Sequence, residues 1–166
     1  MKLQAHGIET NLPPGWEGRI ALRTVPGAGA GASAEPAARS LGNQGERPNP
    51  VVHLANFALP EQRGDFGSGA VDVMTEEHVL VVLFEYGPES LGKALFKRKG
   101  IPALTPNMFS PSALQRTLSG QAGCQVFFTV ENRAFCCYTV LGRQSAANRV
   151  LPQANATLAA TRISPR

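Results

Sequence analysis

Residues 124–142 read CQVFFTVENRAFCCYTVLG and form the densest run of β-forming residues in the chain. Valine, phenylalanine, tyrosine and threonine suit the pleated, half-buried surface of a strand. The polar tripeptide Glu131-Asn132-Arg133 interrupts the run once. The pattern predicts a β-hairpin at the centre of a sheet. Each half of the run is shorter than the about 20 apolar residues that a membrane-spanning helix needs.

The register of this hairpin decides which side chains share a face. A two-residue loop at Asn132-Arg133 would pair Val130 with Phe135. One face would then carry Val126, Phe128, Val130, Phe135, Cys137, Thr139 and Leu141, and the other Phe127, Thr129, Cys136, Tyr138 and Val140. Arginine suits a tight turn poorly, so a longer loop with a bulge is an alternative, and it would exchange the faces of one strand. Both faces are apolar in either register, which predicts cover on both sides of the sheet.

The segment after the hairpin has the pattern of a helix that could supply this cover. Five residues recur at the spacing of one helix face: Val150, Leu151, Ala154, Leu158 and Thr161. Pro152 fits best in a first turn, so the helix is predicted to begin within 149–151. It is predicted to end before Ser164-Pro165, because the residue before a proline avoids helical geometry.

The rest of the chain contributes further strands and short helices. Strands are predicted at 2–9, 16–24, 51–59 and 79–86, a helical turn at 70–74, and short helices at 88–96 and 110–118. The apolar run VLVVLFEY at 79–86 is the best strand outside the hairpin and is expected to be its neighbour.

Residues 25–50 differ in composition from the rest of the chain. Gly, Ala and Pro make up 15 of these 26 residues, which predicts a flexible insertion in an otherwise single domain spanning 1–166. Gly27 to Ala32 also matches the G-x-G-x-x-A dinucleotide fingerprint. Pro26, Pro36 and the lack of a following βαβ unit argue against that alternative.

Hairpins with segregated helices indicate an α+β fold, with a largely antiparallel twisted sheet flanked by helices and a C-terminal helix packed on it. This order resembles the Mog1/PsbP-like fold, through Pro14-Gly15-Trp16, the hairpin at 124–142 and a last helix ending at Ile163. The chain also resembles small actinobacterial proteins rich in Ala, Gly, Pro and Arg. The Mog1/PsbP resemblance implies a partner-binding or assembly role and brings no catalytic residue set with it.

The net charge of +4 is distributed unevenly along the chain. No acidic residue follows Glu131, whereas five arginines do: Arg133, Arg143, Arg149, Arg162 and Arg166. Such a basic C-terminal third could favour an anionic partner. The alternative is a solvated surface around a hydrophobic hairpin.

The N-terminus, MKLQAHGIET, lacks the apolar region and cleavage pattern of a signal peptide. Three cysteines, two of them adjacent, do not form the disulfide framework of a small secreted domain. We therefore expect a cytoplasmic protein with reduced thiols and no membrane span.

The motifs of common enzyme and metal sites are absent from the sequence. It contains no Walker loop, H-E-x-x-H, C-x-x-C or EF-hand loop, and its three histidines are scattered singly. We expect no cofactor, no metal and no catalytic site, so the chain is predicted not to be an enzyme. A nucleophile pair of His53 with Cys136 or Cys137 is the enzymatic alternative.

Six residues are candidate partner or ligand contacts: Trp16, His53, Asn56, Phe66, Arg133 and Tyr138. The first four could line a small-ligand pocket. Their structural interpretation is a tryptophan closing the core, two polar residues hydrogen-bonded at a sheet end, and an aromatic loop anchor. Arg133 and Tyr138 could instead neutralise phosphate and stack on bases.

The sequence therefore predicts a non-catalytic interaction or assembly module that presents a sheet face or groove to a protein partner. Nucleic-acid binding through the basic C-terminal third is the first alternative, and a small-ligand or enzymatic domain is the second.

Overall fold

The computed structural model describes residues 1–23 and 48–166. Most of the predicted insertion, and the glycine-rich fingerprint within it, lie outside these ranges. The strands of the described ranges are β1 (Lys2–Ala5), β2 (Ile8–Asn11), β3 (Glu17–Leu22), β4 (Pro50–Ala55), β5 (Val79–Tyr86), β6 (Ala122–Val130), β7 (Arg133–Leu141) and β8 (Arg162–Ile163). The α-helices there are the single turn α1 (Ser68–Val71) and α2 (Ala147–Ala159).

The strands form two antiparallel sheets. The larger has five strands in the order β3-β4-β5-β7-β6, and the smaller has three in the order β1-β2-β8. Together with α2 packed on the larger sheet, they confirm the predicted α+β class. The strand predicted at 79–86 forms with the same bounds, and it pairs with β7 as expected.

The hairpin forms with a different loop from the one predicted. Val130 pairs with Arg133, so the turn residues are Glu131 and Asn132, with φ of 50° and 58°. Two successive positive φ values are typical of the type I′ turn, whose twist matches that of the strands. The register differs from the predicted one by two residues, an even number, so the predicted division of side chains between the faces is correct.

The position of the hairpin in the sheet also differs from the prediction. β7 lies between β5 and β6, but β6 is an edge strand. Its outer side is closed at both ends by backbone hydrogen bonds, from Thr129 N to Arg98 O at 2.8 Å and from Ser110 N to Gly123 O at 2.9 Å. The segments that contain Arg98 and Ser110 therefore cover part of the β6 edge. An uncovered strand edge can pair with another chain.

Both faces of the larger sheet are covered, as the two apolar faces predicted. One face packs against α2 and the small sheet to form the helix-side core. From the sheet it includes Val52, Leu54, Leu83, Phe128 and Phe135, and from α2 Val150, Leu151, Ala154 and Leu158. The other face packs under the 57–74 and 114–118 segments to form the loop-side core. It includes Val51, Leu80, Val82, Phe84 and Tyr138.

The helix α2 begins earlier than Pro152 predicted. It starts at Ala147, after a 3₁₀ turn at Gln144–Ala146, and so carries Pro152 in its interior. An interior proline costs about 3 kcal/mol. Burial of a valine or leucine side chain contributes about 1.5–3 kcal/mol, and the helix buries Val150, Leu151 and Leu158. Tertiary packing therefore outweighs the local penalty.

The end of α2 also differs from the prediction. The helix ends at Ala159, and Ile163 lies in β8 and not in the helix. Ile163 pairs with Ile8 of β2, and its buried side chain packs in the helix-side core.

Several short elements differ from their predicted extents. The single strand predicted at 2–9 is two strands, because His6 and Gly7, with φ of 53° and 76°, form a turn. The helices predicted at 88–96 and 110–118 are isolated 3₁₀ turns, and the strands predicted at 16–24 and 51–59 end at Leu22 and Ala55. Local pattern sets the limits of such elements only to within a few residues.

Candidate binding groove

A groove of about 620 Å³ opens where the two sheets and α2 meet. Its floor is formed by the last turns of α2 and by Val130 at the tip of the hairpin. One wall is the segment 161–165, which contains β8, and the other is the segment 101–103. The volume lies within the range of about 300–1,000 Å³ typical of ligand-binding clefts.

The second wall is held in place by the side-chain amide of Asn155. Asn155 Nδ2 donates to Leu104 O at 2.8 Å, and Leu104 N donates to Asn155 Oδ1 at 2.7 Å. The amide thus pairs with the backbone as a neighbouring strand would, and it fixes the 101–104 segment against α2. The sequence gives no signal of this role, because the partner is 51 residues away.

The first wall presents an open strand edge to the groove. Ser164 N donates to Gly7 O at 2.8 Å, and Ile163 lies opposite Ile8. In an antiparallel ladder hydrogen-bonded and non-hydrogen-bonded pairs alternate, so Ile163 and Ile8 form a non-hydrogen-bonded pair. The N–H and C=O of Ile163 therefore point away from β2. Ile163 is one of the residues that line the groove, whereas no residue of β2 in the described chain does.

The positive charge of the C-terminal third is largely paired with carboxylates. Four of its arginines form ion pairs: Arg133 and Arg166 with Glu85, Arg143 with Glu76, and Arg149 with Glu77. Arg162, which lines the groove and is exposed, has no carboxylate within salt-bridge distance in residues 1–23 and 48–166. Three more exposed cations, Lys97, Arg98 and Lys99, precede the second wall along the chain but do not line the groove. Glu131 is the carboxylate that lines the groove.

The predicted contact residue Trp16 lies in the helix-side core. Its side chain is only 5% exposed, and Nε1 donates to Gln153 Oε1 of α2 at 3.2 Å. The tryptophan therefore closes the core against the helix, which is the structural interpretation of this residue.

His53 lies on the opposite side of the same sheet and is also buried. Nε2–H donates to Asp65 O at 2.8 Å, while Nδ1 accepts a hydrogen bond from Arg63 Nε at 3.0 Å. Burial lowers the pKa of His53 to about 4; the Asp65 hydrogen bond opposes this shift and the charge of Arg63 adds to it. Both ring nitrogens are occupied, so this histidine orders the 60–69 loop rather than acting as a base.

Asn56 and Phe66 have similar anchoring positions. Asn56 Nδ2 donates to Glu77 O at 2.9 Å, and its Oδ1 accepts from Val79 N at 2.8 Å, which closes the end of the β4–β5 pair. Phe66 stacks on Phe84 with ring centroids 4.6 Å apart.

The pocket predicted around Trp16, His53, Asn56 and Phe66 is not formed by the described residues. Trp16 belongs to the helix-side core, whereas Phe66 packs on the loop-side core. Successive residues of a strand point to opposite faces, so His53 of β4 points away from the side on which Val52 and Leu54 contact the helix. The sheet itself therefore separates the tryptophan from the histidine and the phenylalanine.

Arg133 and Tyr138 do not form the exposed pair that nucleic-acid stacking would need. Both are buried, and they lie on opposite faces of β7. Arg133 is engaged with Glu85, and the Tyr138 hydroxyl accepts from Gln115 N at 2.9 Å. In the described chain these two buried side chains therefore present no surface on which bases could stack.

The nucleophile pair of His53 with Cys136 or Cys137 is not formed either. β5 lies between β4 and β7, so the histidine and the cysteines are two interstrand spacings, about 10 Å, apart. Burial raises the pKa of both thiols to about 12, which keeps them protonated. All three cysteines are free and buried, and behave as small apolar side chains.

Comparisons of the chain with models of protein families, with curated proteins and with solved structures find no match. The resemblance to the Mog1/PsbP-like fold thus remains a prediction from the order of elements. In the described ranges no helix is long and apolar enough to cross a membrane, and no group of three or more His, Cys, Asp or Glu side chains could hold a metal ion.

Proposed function

We propose that this protein is a non-catalytic interaction module that binds a segment of a protein partner in the groove between β8 and residues 101–103. The observation that supports the proposal is the structure of the two walls of this groove. One wall is an open strand edge at Ile163, and the other is fixed by the paired hydrogen bonds of Asn155.

The groove is a better candidate than a sheet face for presenting a surface to the partner. Both faces of the five-stranded sheet pack into cores in the described chain, so neither is free for a partner. The partner-binding role implied by the Mog1/PsbP resemblance supports the same function. We also place the protein in the cytoplasm, since three buried thiols without disulfides fit a reducing compartment.

Two matched substitutions on α2 test the function. Ala159 is exposed and lines the groove, so Ala159→Arg should fill it and abolish partner binding. Ala156 is exposed on the same helix but does not line the groove, so Ala156→Arg should leave binding unchanged. The measurement is copurification of partners with each tagged full-length protein from native extract, followed by light scattering of the complex.

Two outcomes would overturn the proposal. One is a set of partners that Ala159→Arg retains as fully as Ala156→Arg does. The other is binding of a labelled single-stranded oligonucleotide whose affinity falls steeply with salt, which is the signature of phosphate contacts.

A further inference from the structure

We propose that the exposed surface of residues 93–99, which we call the basic patch, docks on a membrane surface of anionic lipids, with Leu95 entering the headgroup layer. The inference goes beyond the proposed function, because no residue of the patch lines the groove. The protein then has two separate binding surfaces, one for a partner segment and one for lipid.

The basic patch concentrates positive charge that no described carboxylate offsets. It contains four exposed cations: Lys93, Lys97, Arg98 and Lys99. None of the four has a carboxylate within salt-bridge distance in residues 1–23 and 48–166, whereas Arg116, Arg143 and Arg149, which are also exposed, each have one. The nearest acidic residue along the chain, Glu89, has its carboxylate against Gly87. Charge complementarity therefore favours a polyanionic partner.

The backbone of the patch is fixed to the edge strand β6. Thr129 N donates to Arg98 O at 2.8 Å, and Thr129 Oγ1 donates to Phe96 O at 2.7 Å. The Phe96 ring is buried and packs edge-on against Tyr86 and Phe127, with ring centroids 5.2 and 5.5 Å away. The charged side chains therefore project from an ordered base, so little backbone freedom is lost on binding.

An apolar side chain among the cations favours a lipid surface over other polyanions. Leu95 is 59% exposed and lies two residues from both Lys93 and Lys97. A leucine gains free energy by entering a membrane interface, while neighbouring lysine ammonium groups stay at the level of the lipid phosphates. Single-stranded nucleic acid would instead stack its bases on exposed aromatic rings, and Phe96, the aromatic residue of the patch, is buried.

Binding of the full-length protein to lipid vesicles tests the inference by cosedimentation. Vesicles of phosphatidylcholine with phosphatidylserine should bind the protein less tightly as salt rises, and vesicles of phosphatidylcholine alone should not bind it. Lys97→Glu/Lys99→Glu should weaken binding to the anionic vesicles by about tenfold or more. The control Arg143→Glu/Arg149→Glu changes the net charge equally at exposed residues outside the patch and should weaken binding by less than about threefold.

Leu95→Ser distinguishes a lipid surface from nucleic acid. The substitution leaves the charge unchanged and should weaken vesicle binding by about threefold or more, because serine gains little from entering the interface. Three results would overturn the inference. They are no binding to the anionic vesicles, vesicle binding that Lys97→Glu/Lys99→Glu or Leu95→Ser fully retains, and tighter binding to a labelled oligonucleotide that Leu95→Ser leaves unchanged.

Discussion

Arg133 and Glu85 form a buried ion pair with two parallel hydrogen bonds, from Nε to Oε1 at 3.0 Å and from Nη2 to Oε2 at 2.8 Å. The same guanidinium donates from Nη1 to Ser164 O and from Nη2 to His6 O, both at 3.0 Å. Arg133 and Glu85 belong to the five-stranded sheet, whereas His6 and Ser164 flank strands of the small sheet. One side chain therefore ties together the two sheets that border the groove.

Glu85→Gln should lower the free energy of unfolding by about 3 kcal/mol, because it leaves the buried Arg133 charge without its carboxylate. Urea denaturation followed by circular dichroism measures the change. The control is Glu131→Gln at an exposed position, which should stay within about 0.5 kcal/mol of the original protein. A loss below about 1 kcal/mol for Glu85→Gln would show that the pair contributes little to stability.

The double variant Arg133→Met/Glu85→Leu should be more stable than Glu85→Gln alone. Replacing both partners of a buried pair with apolar groups removes the desolvation penalty, whereas removing one partner exposes it. The same urea titration applies. A double variant less stable than Glu85→Gln would mean that the bonds to His6 and Ser164 matter more than the ion pair.

The turn variant Glu131→Asn/Asn132→Gly should raise the free energy of unfolding by about 1 kcal/mol. Both positions have positive φ, and Asn-Gly is the preferred type I′ pair. Glu131→Val should act in the opposite direction, because a β-branched side chain tolerates a positive φ poorly. Thermal unfolding distinguishes the two, and equal effects of both variants would contradict the type I′ turn.

The stability of the protein should fall between pH 6.5 and pH 4 because of His53. The pKa of this residue is lowered from 6.5 to about 4 on folding, so in this interval the unfolded state binds a proton that the folded state does not. The contribution is complete above pH 6.5 and decreases towards pH 4, by about 3 kcal/mol in total. Urea denaturation at a series of pH values measures this dependence.

His53→Gln should flatten that dependence, while His6→Gln, at an exposed residue, should retain it. Burial also lowers the pKa of His78, so a smaller slope will remain in His53→Gln. An NMR titration in which the His53 ring changes charge near pH 6.5 in the folded protein would contradict the expectation.

The cysteines should be unreactive towards Ellman's reagent at mild alkaline pH until the protein unfolds. Burial raises the pKa of Cys136 and Cys137 to about 12, and it also raises the pKa of Cys124. The thiolate is the reactive form, so all three should react only after denaturant is added. Ala156→Cys places a thiol on the exposed side of α2 and should add one fast-reacting group. Rapid reaction of the unsubstituted folded protein would show that the sheet opens readily.

Local pattern located the elements of this fold well where one residue type dominates a run. The strand at 79–86 was predicted to the residue because its apolar run is bounded on both sides by polar or turn residues. The predicted loop was wrong, but the predicted assignment of side chains to the two faces of the hairpin was correct. Side chains alternate between faces with a period of two, and the predicted register differs from the observed one by two residues. The predicted start of α2 was wrong because it relied on Pro152 lying in the first turn. Packing of Val150, Leu151 and Leu158 outweighs the local cost of an interior proline.

The candidate site was much less predictable. The six candidate contact residues are mostly buried, and each of them bonds or packs within the protein and not at the groove. The groove depends on Ile163, which was assigned to a helix, and on Asn155, whose partner is distant in sequence. Neither residue type nor spacing marks either of them.

By itself, the sequence determined the α+β class, the central strands and the apolar character of both sheet faces, because these follow from the periodicity of neighbouring side chains. Only the tertiary structure decided the open edge at Ile163, the Asn155-braced wall and the pairing of Arg133 with Glu85. Each of these three features depends on residues that are dozens of positions apart in the sequence. Such residues come together only when both sheets and the helix have packed.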